Sequence, residues 1–376
     1  MSEFILITGA DGYFGNLLVR NYLDRTDKKL KLWVRASGNE EYESKLARLE
    51  KAYGANLERI QFYHGDLSEN RPFREVGRES ITGIVHTAAI TRFNVEEDLA
   101  NRVNRDGVRK VAEFARQCPD LQQFGFVSTV YSSGLTKGIV PETSVKPEGR
   151  FANHYERSKW EAEHIIQTEF ADLPWNIYRA ATIIADNESG EVVQFNVFHN
   201  TMRLFFHGLI SLMPGERDIP IYLTTGKSTA SAIFHLMEEK FTSHEIYNIC
   251  YDRQNALTLG ELVDRVFSNF QSSAEFRKKR IMQPLFTDLE AFESLASVLT
   301  GVSGMVVKQA LDSIRPFSKQ LYIEKNISNG NLLKHYPEYP SPDMAVLLDK
   351  VIQFLMREKW GINTGLQTQG GLSARV

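Results

Sequence analysis

Tyr155 and Lys159 stand four residues apart in the run His154-Tyr-Glu-Arg-Ser-Lys-Trp, inside a stretch patterned as a helix. That spacing stacks the phenol and the ammonium on one helical face. A free phenol titrates near ~10, too high for proton transfer at neutral pH. A neighbouring ammonium favours phenolate and draws the value toward the working range, so the pair is a candidate proton donor to an oxygen. Upstream, Phe126-Val-Ser-Thr-Val-Tyr-Ser-Ser-Gly134 closes an apolar strand. Ser128 and Thr129 are the hydroxyls there that could hydrogen-bond the same oxygen.

A second constellation opens the chain. Thr8-Gly-Ala-Asp-Gly-Tyr-Phe-Gly15 follows one apolar strand and leads into a helix. Gly9, Gly12 and Gly15 let the backbone turn tightly and approach a pyrophosphate with no side chain in the way. The helix start then offers unpaired N–H groups and a positive dipole end. Asp11, Tyr13 and Phe14 belong to the same turn and are expected to touch a bound dinucleotide. An NAD site usually has a carboxylate at the end of the second strand, on the ribose 2′-hydroxyl. Here Trp33-Val-Arg-Ala-Ser37 has none before Glu40; Arg35 can pair with a 2′-phosphate and Ser37 can add a hydrogen bond. This favours NADPH/NADP. Asp66, followed by Leu67, ends the next strand where a carboxylate could accept from the adenine amino group. Thr87, Ala88 and Ala89 end the one after with small residues against which the cofactor can lie. His86 reads as a positioned structural histidine, because nothing near it in sequence makes it a base.

The elements that must position these residues follow an α/β rhythm. Strands are expected at Phe4–Thr8, Leu30–Val34, Ile60–His64, Ile84–His86, Phe124–Ser128 and Ile177–Arg179. Helices are expected at Phe14–Arg25, Lys45–Ala52, Arg105–Gln117 and Tyr155–Glu169. Such alternation means βαβ units and a parallel sheet covered on both faces. The fold class is therefore α/β, a Rossmann-type doubly wound parallel sheet with a smaller, mostly helical C-terminal substrate-binding part. Residues 1–185 form the NADP-binding domain, with sheet elements returning at about 218–250. Residues 186–217 and 251–365 form the cap, and 366–376 a flexible tail. Phe195, Phe198, Phe205, Phe206, Leu209 and Leu212 suit either core packing or an acyl chain.

With 376 residues and a net charge of −3, there is no global basic field for nucleic acid. No apolar run is long enough for a membrane span, and no basic leader precedes the first strand, so a cytoplasmic protein is expected. Cys118 and Cys250 alone make neither a disulfide framework nor a zinc site, and no metal is expected.

Together TGADGYFG, HGDL, HTAA, VSTVYSSG and YERSK resemble the extended short-chain dehydrogenase/reductase superfamily over about residues 4–250. The resemblance implies a Ser/Thr-Tyr-Lys triad. Aligned on Gly134, the triad hydroxyl falls on Thr129, with Ser128 beside it. Tyr155 then supplies the proton, while Lys159 orients the nicotinamide ribose and lowers the tyrosine pKa. VSTVY, VRAS, YRAATIIAD and NISNGNLLKHYPEYPSPDM are similar to the fatty acyl-CoA reductase and carrier-protein thioester reductase branch. That branch implies NADPH-dependent reduction of an acyl thioester, on CoA or an acyl carrier protein, to aldehyde and sometimes alcohol. Ala180, where the branch usually has proline, departs from its pattern, as does Tyr222–Ser231. A simple ketone or aldehyde reductase, hydroxysteroid-like, stays open. Nucleotide-sugar epimerases are disfavoured by Arg35, dehydratases by Val130 and Tyr131 after Thr129, and a non-catalytic NADPH-binding regulator by the intact Tyr and Lys.

Overall fold

The computed structural model describes residues 3–147, 150–302, 311, 314–361 and 367–368. Its spine is a sheet of seven strands: β1 (Phe4–Thr8), β2 (Lys29–Arg35), β3 (Ile60–Gly65), β4 (Ile81–His86), β5 (Gln123–Thr129), β6 (Trp175–Ala180) and β7 (Glu245–Ile249). They lie in the order β7-β6-β5-β4-β1-β2-β3, every neighbouring pair parallel. The direction of winding reverses between β1 and β4, which leaves a crevice at the carboxyl ends of those strands.

Continuous apolar strands follow from burial on both faces. In β1, Ile5 and Ile7 pack into one cluster with Leu18 and Val19 of α1 (Tyr13–Arg25), while Leu6 between them joins the other. That second cluster holds Phe124 and Phe126 of β5 against Val111 of α3 (Asp106–Arg116) and Ile165 and Ile166 of α4 (His154–Glu169). The period-2 alternation of a strand thus feeds two separate layers of helix.

Each expected strand forms, extended by a residue or more where hydrogen bonding to neighbours outlasts the apolar run. The second helix, α2 (Asn39–Tyr53), starts six residues earlier than its apolar pattern, with Glu40 and Glu41 in its first turn. Carboxylates there suit the helix dipole, a start signal independent of burial. The helix expected from Arg105 begins at Asp106 and is preceded by a π-helical turn, Asn101–Arg105.

The C-terminal half adds α5 (Val197–Phe206), α6 (Gly226–Glu238), α7 (Leu259–Gln271) and α8 (Met344–Arg357). These join the cluster on the α1 face without a break. Phe206 packs against Phe270, Phe276 and Trp360 at 5.2–5.5 Å between ring centroids. Of residues 366–376, Gln367–Thr368 pair in parallel with Gln194–Phe195, and the rest of the expected tail lies outside the described residues.

Candidate active site

A cleft of about 450 Å³ occupies the crevice, lined by Gly9, Gly12, Phe14, Thr129, Tyr155 and Lys159 among others. The glycine turn is shaped first by its own packing. Gly9 has φ +71°, and a Cβ on it would come 2.9 Å from the Ala88 Cα; one on Gly15 would sit 2.2 Å from the Gly9 carbonyl oxygen. Only glycine lets the ends of β1 and β4 meet this closely. Gly12 caps α1, and no side chain takes up the first-turn N–H groups. An uncapped helix start beside a cleft is an anion-binding arrangement. The Thr87 hydroxyl donates to the Thr8 carbonyl at 2.7 Å, and Ala89 lines the cleft. The Tyr13 hydroxyl donates to Asp186 at 3.0 Å, on the wall opposite the turn.

At the other end of the cleft, Tyr155 and Lys159 are both buried on α4, whose first turn is capped by Asn153. The Thr129 side chain stands against the Tyr155 phenol, close enough to act on its pKa. The Ser128 hydroxyl instead donates to Glu163 at 2.5 Å, so the strand pleat separates the two candidate hydroxyls. Lys159 Nζ donates to the Val127 carbonyl at 2.6 Å and lies 4.1 Å from the centre of the Phe126 ring. The expected lowering of the Tyr155 pKa is not what the fold produces. Burial pushes the phenol above its ordinary value, and the Thr129 side chain only partly offsets this. Burial also draws the Lys159 ammonium down to about 7, with Glu163 working the other way. His86 is wholly buried, bonded through Nδ1 to Thr8 Oγ1 at 2.7 Å, and brought down to about 3 by burial and by Lys159. It stays neutral and structural.

Three positioning groups escape a reading of the sequence. Glu163 continues the i, i+4 ladder Tyr155–Lys159–Glu163 along α4, and forms a wholly buried pair with Arg179 of β6 at 2.7 Å. Arg179 stands opposite Ser128 in register, so one carboxylate fixes β5, β6 and α4 together. Asn104, in the π-helical turn, bonds both the amide and the carbonyl of Ile90 at 2.8 and 3.0 Å and the Ser158 hydroxyl at 3.0 Å. Lys325 reaches from the C-terminal part of the chain to donate to Ser133 at 2.9 Å and to the Gly134 carbonyl, facing Glu156. The ladder spacing could have exposed Glu163; no local signal marks the other two.

At their ends, β2 and β3 present Arg35 and Asp66, paired at 2.9 Å. The Arg35 side chain is 67% exposed. Asp66 also accepts from the Ser68 amide at 2.8 Å, and Leu67 is buried beneath it. The Ser37 hydroxyl and amide both donate to Glu41, which they and Lys45 hold at about 2. Lys45 bridges Glu41 (3.1 Å) to Asp11 (3.0 Å), and Arg48 donates to the Asp11 carbonyl at 3.4 Å. No local pattern marks these two α2 cations as facing the turn. Asp66 and Ser37 are thus engaged with protein partners. Among the described residues no group of three His, Cys, Asp or Glu could hold a metal, and no helix is long and apolar enough to cross a membrane.

A doubly wound sheet with a glycine turn at its switch point, and a Tyr-Lys pair across the cleft, defines a nicotinamide-dependent oxidoreductase of the extended short-chain dehydrogenase/reductase type. Residues 7–233 match the profile described as male sterility protein, an NAD-binding family, and the chain belongs to it. Among curated relatives, it is 26% identical over 269 residues to a component of the linear gramicidin synthase of Brevibacillus parabrevis, covering 64% of this chain and 5% of that protein. It is 31% identical over 165 residues to probable fatty acyl-CoA reductase 5 of Arabidopsis thaliana, covering 38% and 33%. The match thus spans a third or less of those relatives' lengths. The solved terminal R domain of the myxalamid PKS-NRPS pathway superposes with a TM-score of 0.76 at 18% identity, covering 96% of this chain and 92% of that one. A thiolation-reductase di-domain from an archaeal non-ribosomal peptide synthetase gives 0.70 at 18%, covering 96% and 76%. At this identity the two structures speak for the fold.

Proposed function

We propose that the chain uses NADPH to reduce an acyl thioester, carried on CoA or on a carrier protein, to the aldehyde. The observation that carries this reading is that Thr129, Tyr155 and Lys159 together line the same cleft as the glycine turn. Gly12 and the uncapped start of α1 would hold the pyrophosphate, and Arg35 with Lys45 would meet a 2′-phosphate. A reduced nicotinamide supplies the hydride when bound. Thr129 and Tyr155 hold the carbonyl oxygen as charge develops on it, and Tyr155 gives it the phenolic proton; the resulting hemithioacetal then breaks its C–S bond, its hydroxyl proton leaving with the thiol, to give the aldehyde. Lys159, fixed by Val127, orients the ribose and keeps a positive charge near the phenol. The catalytic end is water-poor, since Tyr155, Lys159 and Thr129 are all buried. Fatty acyl-CoA reductases and peptide-synthetase reductase domains among the relatives and fold neighbours support the thioester as substrate class.

The test is a spectrophotometric screen of NADPH oxidation over acyl-CoA, acyl-pantetheine, aldehyde and ketone substrates. Oxidation with thioesters, and release of free thiol, is the expected result. Turnover of ketones with none of thioesters would replace this reading with a simple carbonyl reductase.

A further inference from the structure

Behind the catalytic end lies a second, smaller cavity of about 80 Å³, walled by α5, α7 and the segments around Met213 and Phe317. A partly open, almost wholly apolar pocket adjoining the cleft suits a hydrocarbon occupant. Its walls are apolar side chains such as Met202, Phe205, Leu262 and Phe292. The side-chain hydroxyls in its lining already have partners. Thr201 donates to the Val197 carbonyl at 2.8 Å, and Tyr131 and Thr182 bond each other at 2.9 Å. Such a chamber gives water too few partners to stay and gives a polar ligand nothing to bind.

Tyr131, Thr182 and Val197 line both this chamber and the main cleft. The Tyr131–Thr182 pair is therefore a partition between them. A run of rings leads from the chamber wall toward the catalytic tyrosine: Phe317 meets Tyr131 edge-on at 5.1 Å, Phe93 stacks on Phe317 at 5.1 Å, and Phe93 lies 5.7 Å from the Tyr155 ring. A thin apolar group attached to a carbonyl at Tyr155 has this partition in front of it.

We infer that the chamber receives the distal end of an unbranched acyl chain, and that the Tyr131–Thr182 partition determines which chain lengths enter. This rests on the thioester reading above. Short acyl groups react with the partition closed, within the cleft. Longer ones must separate Tyr131 from Thr182 and fill the space between α5 and α7. Phe205 and Leu262 then set the upper limit of length, which gives the aromatic stretch of α5 a split role: Phe198 and Phe205 face the chamber, while Phe206 is core.

The experiment measures kcat/KM with NADPH for butanoyl- through palmitoyl-CoA in wild type, Leu262→Trp, Met202→Phe and Thr182→Val. The first two substitutions fill the chamber, and each should cut the long-chain value about tenfold or more, with butanoyl-CoA within about twofold. Thr182→Val, which keeps the shape and removes the hydrogen bond, should raise the ratio of the long-chain to the butanoyl-CoA value about threefold or more. An equal change at every length, or no change in either filled variant while NADPH binding and thermal unfolding match wild type, overturns the assignment. Cis-parinaric acid fluorescence provides a readout without turnover: wild type should bind the probe and Leu262→Trp should weaken that binding at least about tenfold. A wild type that binds the probe but reduces no thioester defeats the thioester reading and leaves the chamber standing. Thioester turnover with probe binding unaffected by Leu262→Trp defeats the chamber alone.

Discussion

The cleft around Tyr155 and the charged cluster at the ends of β2 and β3 are built on opposite physical terms. At the catalytic end, Thr129, Tyr155, Lys159, Glu163 and Arg179 are all buried, and each polar group is held by a specific neighbour. In the strand-end cluster, Arg35, Ser37, Glu41, Lys45 and Asp66 form a surface lattice of polar groups that bond one another. Exposed ion pairs are individually worth ~0–1 kcal/mol, whereas losing one partner of a buried pair costs several. The first region is therefore preorganised for one geometry. The second can open and re-pair around a phosphate at little cost, which suits recognition of a cofactor that comes and goes.

The sharpest way to break this contrast is Tyr155→Phe. It should lower kcat by on the order of 10³ while NADPH affinity, followed by fluorescence titration, stays within about twofold. Retained turnover would remove Tyr155 from the role of proton donor. Next in size, Arg179→Met leaves Glu163 charged and unpaired in the interior, and should cost about 3–5 kcal/mol in urea unfolding. Arg35→Ala in the exposed cluster should cost less than about 1 kcal/mol in the same assay. Similar losses for both would erase the distinction between the two regions.

Arg35→Glu should raise the KM for NADPH about tenfold or more and leave NADH within about twofold, because only the 2′-phosphate meets the reversed charge. Equal effects on the two cofactors would take Arg35 away from the phosphate. The smallest effect is on pH. Burial brings Lys159 to about 7, so its charge is present below that value and lost as pH rises through it. NADPH affinity should weaken across that step, and Lys159→Arg should flatten the profile. Stability runs the other way. The unfolded lysine holds its proton up to 10.5, so the fold gains stability as pH rises between about 7 and 10.5, a slope that Lys159→Met should remove from urea titrations.

Much of the catalytic end is legible in the chain because its signals are local. The Tyr155–Lys159 spacing is one turn of helix, and helices keep i and i+4 on one face whatever surrounds them. The glycine turn is equally local, being a requirement on φ and on close approach at Gly9 and Gly15. The strand-end cluster is harder to read. Ser37 and Asp66 stand at the expected strand ends but spend their bonds on Glu41 and Arg35, an outcome of where α2 starts. Lys45 and Arg48 carry no signal of their own.

The sequence by itself determined the parallel doubly wound sheet, the turn that could cradle a pyrophosphate and the helix that carries the phenol and ammonium. Each of these is written in a period of two, of 3.6, or in a glycine that nothing else can replace. Only the tertiary structure decided that Ser128 turns away to Glu163, because a strand end shows two hydroxyls to opposite faces until α4 docks on one of them. It also decided that burial raises the phenol's pKa, since desolvation depends on what surrounds a group rather than on what precedes it in the chain. The chamber behind Tyr131 is of the same kind. Its walls come from segments more than a hundred residues apart, brought together only by the packing of the cap on the sheet.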